Sequence, residues 1–298
     1  MRRHRIVGEW SMHVGEIATD VSLVDELIRT QFPRWHGLQI TKVAHGGTDH
    51  AIYRLGDELA VRLPRIDRAK HQAGRDAVML PTLAPHLPVA VPEPLALGEP
   101  TENYSFPWSV VRWLTGDTAT VDAVRADTPV RLAELIHALQ GIEVNGEQRA
   151  PHRGHAHQER DDDQVRECIA ELGGDRRLVE VWQEALDAPR WDGPGRWLHA
   201  DLHGGNLLFT DGELTGVVDW GCAGVGDPAG DLMPAWLFLD EKGRRAFRRE
   251  LSFDDATWAR ARGWALHLAV IGLPYYRDTN PVFADICRHT LNQLLAER

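Results

Sequence analysis

The stretch WLHADLHGGNLLFTDGELTGVVDWGCAGVGDPAGDL, residues 197–232, decides how this chain is read. Two apolar β runs, Leu207 to Phe209 and Leu214 to Val218, flank Asp211-Gly212. That dipeptide favours a tight hairpin, because both central residues of such a turn need positive φ. With Asp211 and Gly212 as the turn, Thr210 pairs with Glu213, Asn206 falls opposite Val217, and Asp219 falls opposite Gly204. Asn206 and Asp219 then leave the hairpin at the same end, on neighbouring strands. Asp201 stands five residues before Asn206, in the loop entering that end. Two carboxylates and an amide are thereby predicted to converge on one open edge.

Oxygen ligands of this kind suit Mg²⁺, which takes carboxylate, amide, water and phosphate oxygens. A carboxylate beside such a metal can accept the proton of a substrate hydroxyl. Gly204 and Gly205 let backbone and substrate approach closely. Metal, positioned nucleophile and base are the parts that phosphoryl transfer requires.

Working outward, the first third of the chain reads as strands. Ile40 to Ala44 leads into the polar loop His45-Gly46-Gly47-Thr48-Asp49-His50, and Ala51 to Leu55 and Leu59 to Leu63 then flank Gly56-Asp57. Three such runs predict an antiparallel sheet. A helix from about Asp67 to Leu83, interrupted near Pro81, precedes a proline-bearing connection and a strand from Phe106 to Trp113. Beyond Gly116 the pattern turns helical. Leu132, Leu135, Ile136 and Leu139 share one helix face, with Thr128 as the expected cap and Gly141 past the end. Val165, Cys168, Ile169 and Leu172 repeat the spacing, a third helix covers Arg176 to Leu186, and the last fifty residues read as helix too.

The 298 residues carry a net charge of -11, which argues against nucleic acid as a partner. The surplus acid permits a cationic substrate without requiring one. No apolar run reaches the roughly 18 residues of a membrane span. No apolar stretch follows the basic Met1 to Arg5 start, and Met12 is an alternative start; a cytoplasmic protein is expected. Cys168, Cys222 and Cys287 are far apart and read as reduced thiols. Oligomeric state leaves no trace in the pattern.

His199-Ala200-Asp201 through Asn206 resembles the catalytic loop of protein kinases, where an Asp is followed five positions later by an Asn, and Asp219-Trp220-Gly221 stands where kinases have Asp-Phe-Gly. The fuller run HADLHGGN, VVDWG, VGDPAGDL is more similar to the aminoglycoside phosphotransferase family, which includes macrolide phosphotransferases. Gly46-Gly47-Thr48-Asp49 looks like that family's nucleotide loop, and VPEPLALG (91–98) and VVRWLTG (110–116) look like its later sheet strands. The first forty residues are poorly covered.

The resemblance implies an α+β, two-lobed, protein-kinase-like fold. Residues 1–112 would form a nucleotide-binding lobe of antiparallel sheet plus helix, and residues 113–298 a mainly helical lobe bearing the catalytic hairpin. Asp201 would be the catalytic base, and His199 would brace its loop. Asn206 and Asp219 would hold Mg²⁺. Gly46, Gly47, Thr48, Ala60, Arg62, Asp76 and Val111 would surround ATP, with GTP as the alternative. Arg62 takes the place of the usual strand lysine, and Asp76 is the expected partner for it. The acceptor would be a small-molecule hydroxyl, an aminoglycoside first, with macrolides, other alcohols and sugars as alternatives. Asp161, Asp162, Glu167 and Asp231 are candidate contacts for its ammonium groups, although Asp227 and Asp231 read more simply as helix-capping carboxylates.

Competing readings remain open at this level. His199, Asp201 and His203 alternate, and on a strand they could form a zinc site. His152, His155 and His157 before Asp161 to Asp163 read as a solvated loop entering a helix rather than a metal store. Arg62 at the lysine position leaves room for a nucleotide-binding regulator without turnover.

Overall fold

The structure is a computed structural model that describes residues 5–6, 9–10, 15–43, 47–118, 125–146, 149–150 and 158–297. His45, Gly46, His152, His155 and His157 lie outside the described residues. The chain divides into two compact units: Met1–Pro85 with Ala90–Thr115, and His86–Val89 with Gly116–Arg298.

The first unit opens with the antiparallel pair β1 (Arg5–Ile6) and β2 (Glu9–Trp10), followed by helix α1 (Val21–Gln31). The sequence reading did not anticipate α1. Its signal is nevertheless present: Asp20 Oδ1 accepts the Leu23 N–H at 2.8 Å as an N-cap, and Val24, Leu27 and Ile28 form its buried stripe. Strands β3 (Ile40–Lys42), β4 (His50–Leu55) and β5 (Leu59–Pro64), helix α2 (Gln72–Leu83), and strands β6 (Pro94–Gly98) and β7 (Trp108–Arg112) complete the unit. The five strands β3 to β7 form one antiparallel sheet in the order β3-β4-β5-β7-β6.

Alternation along β5 and β7 divides their residues between two faces. Leu59, Val61, Leu63, Trp108 and Val110 join the core with α1, while Ala60 and Arg62 pair across the ladder with Val111 and Ser109 on the opposite face. The sequence reading expected Pro81 to interrupt α2, but the helix runs through it. The proline falls inside the last turn of the helix, where one lost backbone bond is tolerated before the chain continues into the 3₁₀ turn Ala84–His86. The segment Asp67–Ala69, expected in the same helix, is a separate 3₁₀ turn.

The second unit holds β8 (Asp117–Thr118), α3 (Thr128–Gln140), α4 (Asp162–Glu171), α5 (Arg176–Asp187), β9 (Arg196–Leu198), β10 (Leu207–Thr210), β11 (Glu213–Val217), β12 (Gly224–Gly226), α6 (Pro234–Leu237), α7 (Glu241–Glu250), α8 (Asp255–Tyr276) and α9 (Pro281–Ala296). Strand β10 lies between β11 and β8, and β9 pairs with β12. Helix α3 begins one residue earlier than a Thr128 cap would place it: Asp127 occupies the cap position, while Thr128 Oγ1 accepts the Arg125 N–H at 3.0 Å. Cys168, Cys222 and Cys287 form no disulfide. Among the described residues no helix is long and apolar enough to cross a membrane.

Gly98 tests the first unit's packing. A Cβ built there would lie 2.0 Å from the indole Cε2 of Trp108, which is fully buried in the core. Gly98→Ala is expected to destabilise by about 1–3 kcal/mol, read as a lower urea midpoint by circular dichroism.

Candidate active site

The 207–217 hairpin forms as expected at its turn, with Asp211 at φ 51° and Gly212 at φ 80°, and Thr210 opposite Glu213. Its register then departs from the sequence reading. Phe209 faces Leu214 but Leu208 faces Gly216, so one extra residue, Thr215, is inserted as a β-bulge. Leu207, not Asn206, therefore stands opposite Val217. The Thr215 hydroxyl donates to the Leu208 carbonyl at 3.3 Å and lies 3.2 Å from Thr210 Oγ1, which holds the bulge. The bulge moves Val218 alongside Asn206: the Val218 N–H donates to the Asn206 carbonyl at 2.9 Å. Asn206 and Asp219 still emerge side by side, by a register shifted one residue from the ideal.

The loop entering this end is clamped from beneath. Asp231 has no solvent exposure, and its two carboxylate oxygens accept the His199 N–H at 2.9 Å and the Ala200 N–H at 2.6 Å. Ala200 adopts φ 62°, a left-handed conformation that an alanine rarely takes, immediately before Asp201. Burial pushes the Asp231 carboxyl up to about 7, while the two N–H bonds pull it back down. Asp231 was expected as a helix cap or as an acceptor contact. It is neither, because its oxygens are spent on the loop backbone. Asp227 does cap: its Oδ1 accepts the Ala229 N–H at 3.0 Å, and its carboxylate also pairs with buried Arg260, Nε to Oδ2 2.7 Å.

His199 is also fully buried, and its Nε2 lies 3.0 Å from the Val218 carbonyl. A carbonyl only accepts, so Nε2 carries the hydrogen. The ring meets Trp220 edge-on at 4.7 Å, and burial holds the imidazole down to about 4, hence neutral. Asn206 closes the circuit. Its Nδ2 donates to the Asp201 carbonyl at 2.9 Å and to Asp201 Oδ2 at 3.2 Å. The amide nitrogen is thus committed to Asp201, and the amide oxygen is directed elsewhere. Asp219, at φ 58°, directly follows Val218, the residue bonded to Asn206 at this strand end. An amide oxygen and a carboxylate make a hard-oxygen donor set that fits Mg²⁺.

Among the described residues, no group of three His, Cys, Asp or Glu side chains could hold a metal ion. The zinc reading of His199, Asp201 and His203 loses its premise at Ala200, whose positive φ breaks the strand alternation it required. Asp161 is engaged by Arg160 and His267, and Asp162 by Arg166 and the Trp182 indole, so two expected acceptor contacts serve local ion pairs. A cavity of about 340 Å³ in this unit is lined by Arg149, Arg190, Trp191, Asp227 and Trp264 among others, and includes none of Asp201, Asn206 and Asp219.

In the first unit Arg62 Nη1 donates to Asp76 Oδ2 at 2.8 Å, a buried ion pair between β5 and α2. Ala60 and Val111 stand opposite each other on the same sheet face as Arg62. Thr48 and Gly47 lead into β4, with Gly47 at φ 65° and Thr48 Oγ1 3.3 Å from Asp49 Oδ1.

A profile of the phosphotransferase enzyme family matches residues 40–264, spanning the sheet, the clamped loop and the first part of α8. The chain belongs to the phosphotransferase enzyme family. Solved members of similar fold include a GDP and kanamycin complex of APH(2")-IIia, with TM-score 0.69, 17% identity, and 92% and 98% of the two chains covered. The macrolide 2'-phosphotransferase MphH from Brachybacterium faecium is similar at TM-score 0.55, 21% identity, and 92% and 98% coverage. These likenesses confirm the expected kinase-like α+β fold. YcbJ, an uncharacterised protein of Bacillus subtilis (strain 168), is 35% identical over 96 residues, 32% of this chain and 30% of that protein. The chain thus matches under a third of that relative's length.

Two measurements check the clamp. Asp231→Asn replaces one acceptor oxygen by an amide that cannot accept, leaving a buried N–H unpaired. It should destabilise the protein by about 1–3 kcal/mol at pH 8, read by urea denaturation. His199 titrates near 4 when folded against 6.5 ordinarily, so its contribution is complete above pH 6.5 and is lost as pH falls toward 4. Over that window the stability advantage of wild type over His199→Asn should shrink by up to about 1.4 kcal/mol per pH unit.

Proposed function

We propose that this family member transfers the γ-phosphoryl group of a nucleoside triphosphate, ATP or GTP, to a hydroxyl of a small molecule. The observation that carries the reading is the Asn206 amide anchored on Asp201 beside Asp219, on a loop clamped by Asp231 and His199. Asp201 accepts the proton of the acceptor hydroxyl as its oxygen attacks the γ-phosphorus and the nucleoside diphosphate leaves. Asn206 and Asp219 would hold Mg²⁺ through their side-chain oxygens, and the metal would supply neutralisation of the phosphate charge. In the first unit Gly47, Thr48, Ala60 and Val111 contact the nucleotide, and Arg62, held by Asp76, takes the phosphate role of the usual lysine.

The acceptor class is an aminoglycoside on the family's precedent. A second reading has its own observation. Phe283 lies edge-to-face on His203 at 5.1 Å, Tyr276 on Phe283 at 5.1 Å, and Tyr275 on Tyr276 at 4.7 Å. This row of rings runs from the loop toward solvent, where Tyr275 is 42% exposed. It favours an acceptor with an apolar face, as a macrolide has, over a polycation. Asp201→Ala is expected to lower phosphate transfer by at least about 100-fold and to leave Mg·ATP affinity by calorimetry nearly unchanged. Retained transfer would refute the assignment of Asp201 as base.

A further inference from the structure

His203 also faces Asp201, and the geometry points to a second task for it. We propose that His203 is a positioning residue for Asp201: its imidazole is locked with the hydrogen on Nε2, and that N–H aims the Asp201 carboxylate. The inference rests on the phosphotransfer reading of Asp201 above.

The argument is a count of hydrogens. His203 Nδ1 lies 3.1 Å from the Gly205 backbone nitrogen, which donates to it. A backbone N–H can only donate, so Nδ1 bears the lone pair, and in a neutral ring Nε2 bears the hydrogen. Two groups approach Nε2: Asn206 Nδ2 at 3.2 Å and Asp201 Oδ2 at 3.6 Å. The Asn206 amide has two hydrogens, directed to the Asp201 carbonyl and to Asp201 Oδ2. It has none left for His203, and Nε2–H has none to accept from it. The acceptor facing Nε2–H is therefore Asp201 Oδ2. At 3.6 Å the contact lies just beyond hydrogen-bond distance, and catalytic contacts of this kind tighten when substrate binds.

The ring is also held in place sterically. A Cβ at Gly205 would lie 3.0 Å from His203 Cε1, so glycine there leaves room for the imidazole. The ring's other neighbour is Phe283 of α9. That residue is admitted by Gly272 of α8, where a Cβ would lie 2.8 Å from Phe283 Cε1. Two oxygen-directed N–H groups, from Asn206 and His203, thus converge on Asp201 Oδ2 and fix the carboxylate's rotation. A purely structural role for His203 is to cap the 3₁₀ turn Gly204–Asn206, in which it already sits at the N-cap position.

Two variants separate these roles. His203→Asn places an acceptor where Nδ1 was, preserving the cap, but lacks the Nε2–H. His203→Gln can place its amide N–H near the position of Nε2. The first readout needs no turnover: long-range ¹H–¹⁵N correlation of ¹⁵N-histidine-labelled protein at pH 8, with His203→Asn used to assign the signal. The proposal expects the Nε2–H tautomer and a shifted Nε2 resonance in Asp201→Asn. An Nδ1–H tautomer, or an Nε2 resonance indifferent to Asp201→Asn, would overturn it. The second readout is phosphate transfer from Mg·ATP and Mg·GTP to kanamycin and to erythromycin. His203→Asn should lower kcat up to about 100-fold with little change in nucleotide KM, and His203→Gln should recover most of that loss. Equal activity of His203→Asn and wild type, or no recovery by His203→Gln, counts against it. If wild type transfers to neither acceptor, the acceptor reading fails while the spectroscopic arm still decides the positioning role.

Discussion

The candidate site depends on one fully buried carboxylate accepting two consecutive backbone N–H groups. Asp231 takes the His199 and Ala200 amides, and this holds Ala200 in a left-handed conformation that an alanine rarely adopts. The chain direction set there determines where Asp201 points. From Asp231 the constraint passes through the neutral His199 ring to the Val218 carbonyl, from the Val218 N–H to Asn206, and from the Asn206 amide back to Asp201. Each link is a hydrogen bond between buried or half-buried groups, where an unpaired partner costs more than the bond itself contributes. The network holds the loop and the hairpin end as one arrangement.

Much of this was legible in the sequence, and the reasons are local. Asp211-Gly212 dictates its own turn, and the alternation around it places Asn206 and Asp219 at one hairpin end whatever the details of register. The bulge at Thr215 was not legible, because an inserted residue leaves no mark on a run of apolar and small side chains. Asp231 was misread for a related reason. An aspartate before a helix looks like a cap, and only the three-dimensional return of the chain brings it beneath His199. Helix α1 was missed although Asp20, Val24, Leu27 and Ile28 carry its pattern. Its buried stripe of three residues is short beside the strand signals that follow.

In the first unit the substitution of Arg for the strand lysine is matched by a shorter acid, Asp76, and the pair meets at 2.8 Å. A buried pair of this kind is weak evidence for stability, since desolvation offsets the attraction. It is better evidence that the arginine is being held in one orientation. Asp76 Oδ1 is buried and accepts no hydrogen bond among the described residues, so the pair still has capacity for a further donor. The side-chain geometry of the second unit bears on the acceptor as well. Of the acidic residues that suggested a polycation, Asp161 and Asp162 are engaged by neighbouring side chains, Asp231 is buried and Glu167 is exposed on α4, while Phe283 packs on the His203 ring.

The most direct test of the central claim follows the γ-phosphorus itself. ³¹P NMR of the purified protein with Mg·ATP or Mg·GTP, and with kanamycin or erythromycin as acceptor, should show the γ resonance replaced by a new phosphomonoester signal as the nucleoside diphosphate appears. A γ resonance that persists with every nucleotide and acceptor pair, or that passes only into inorganic phosphate, would contradict the account.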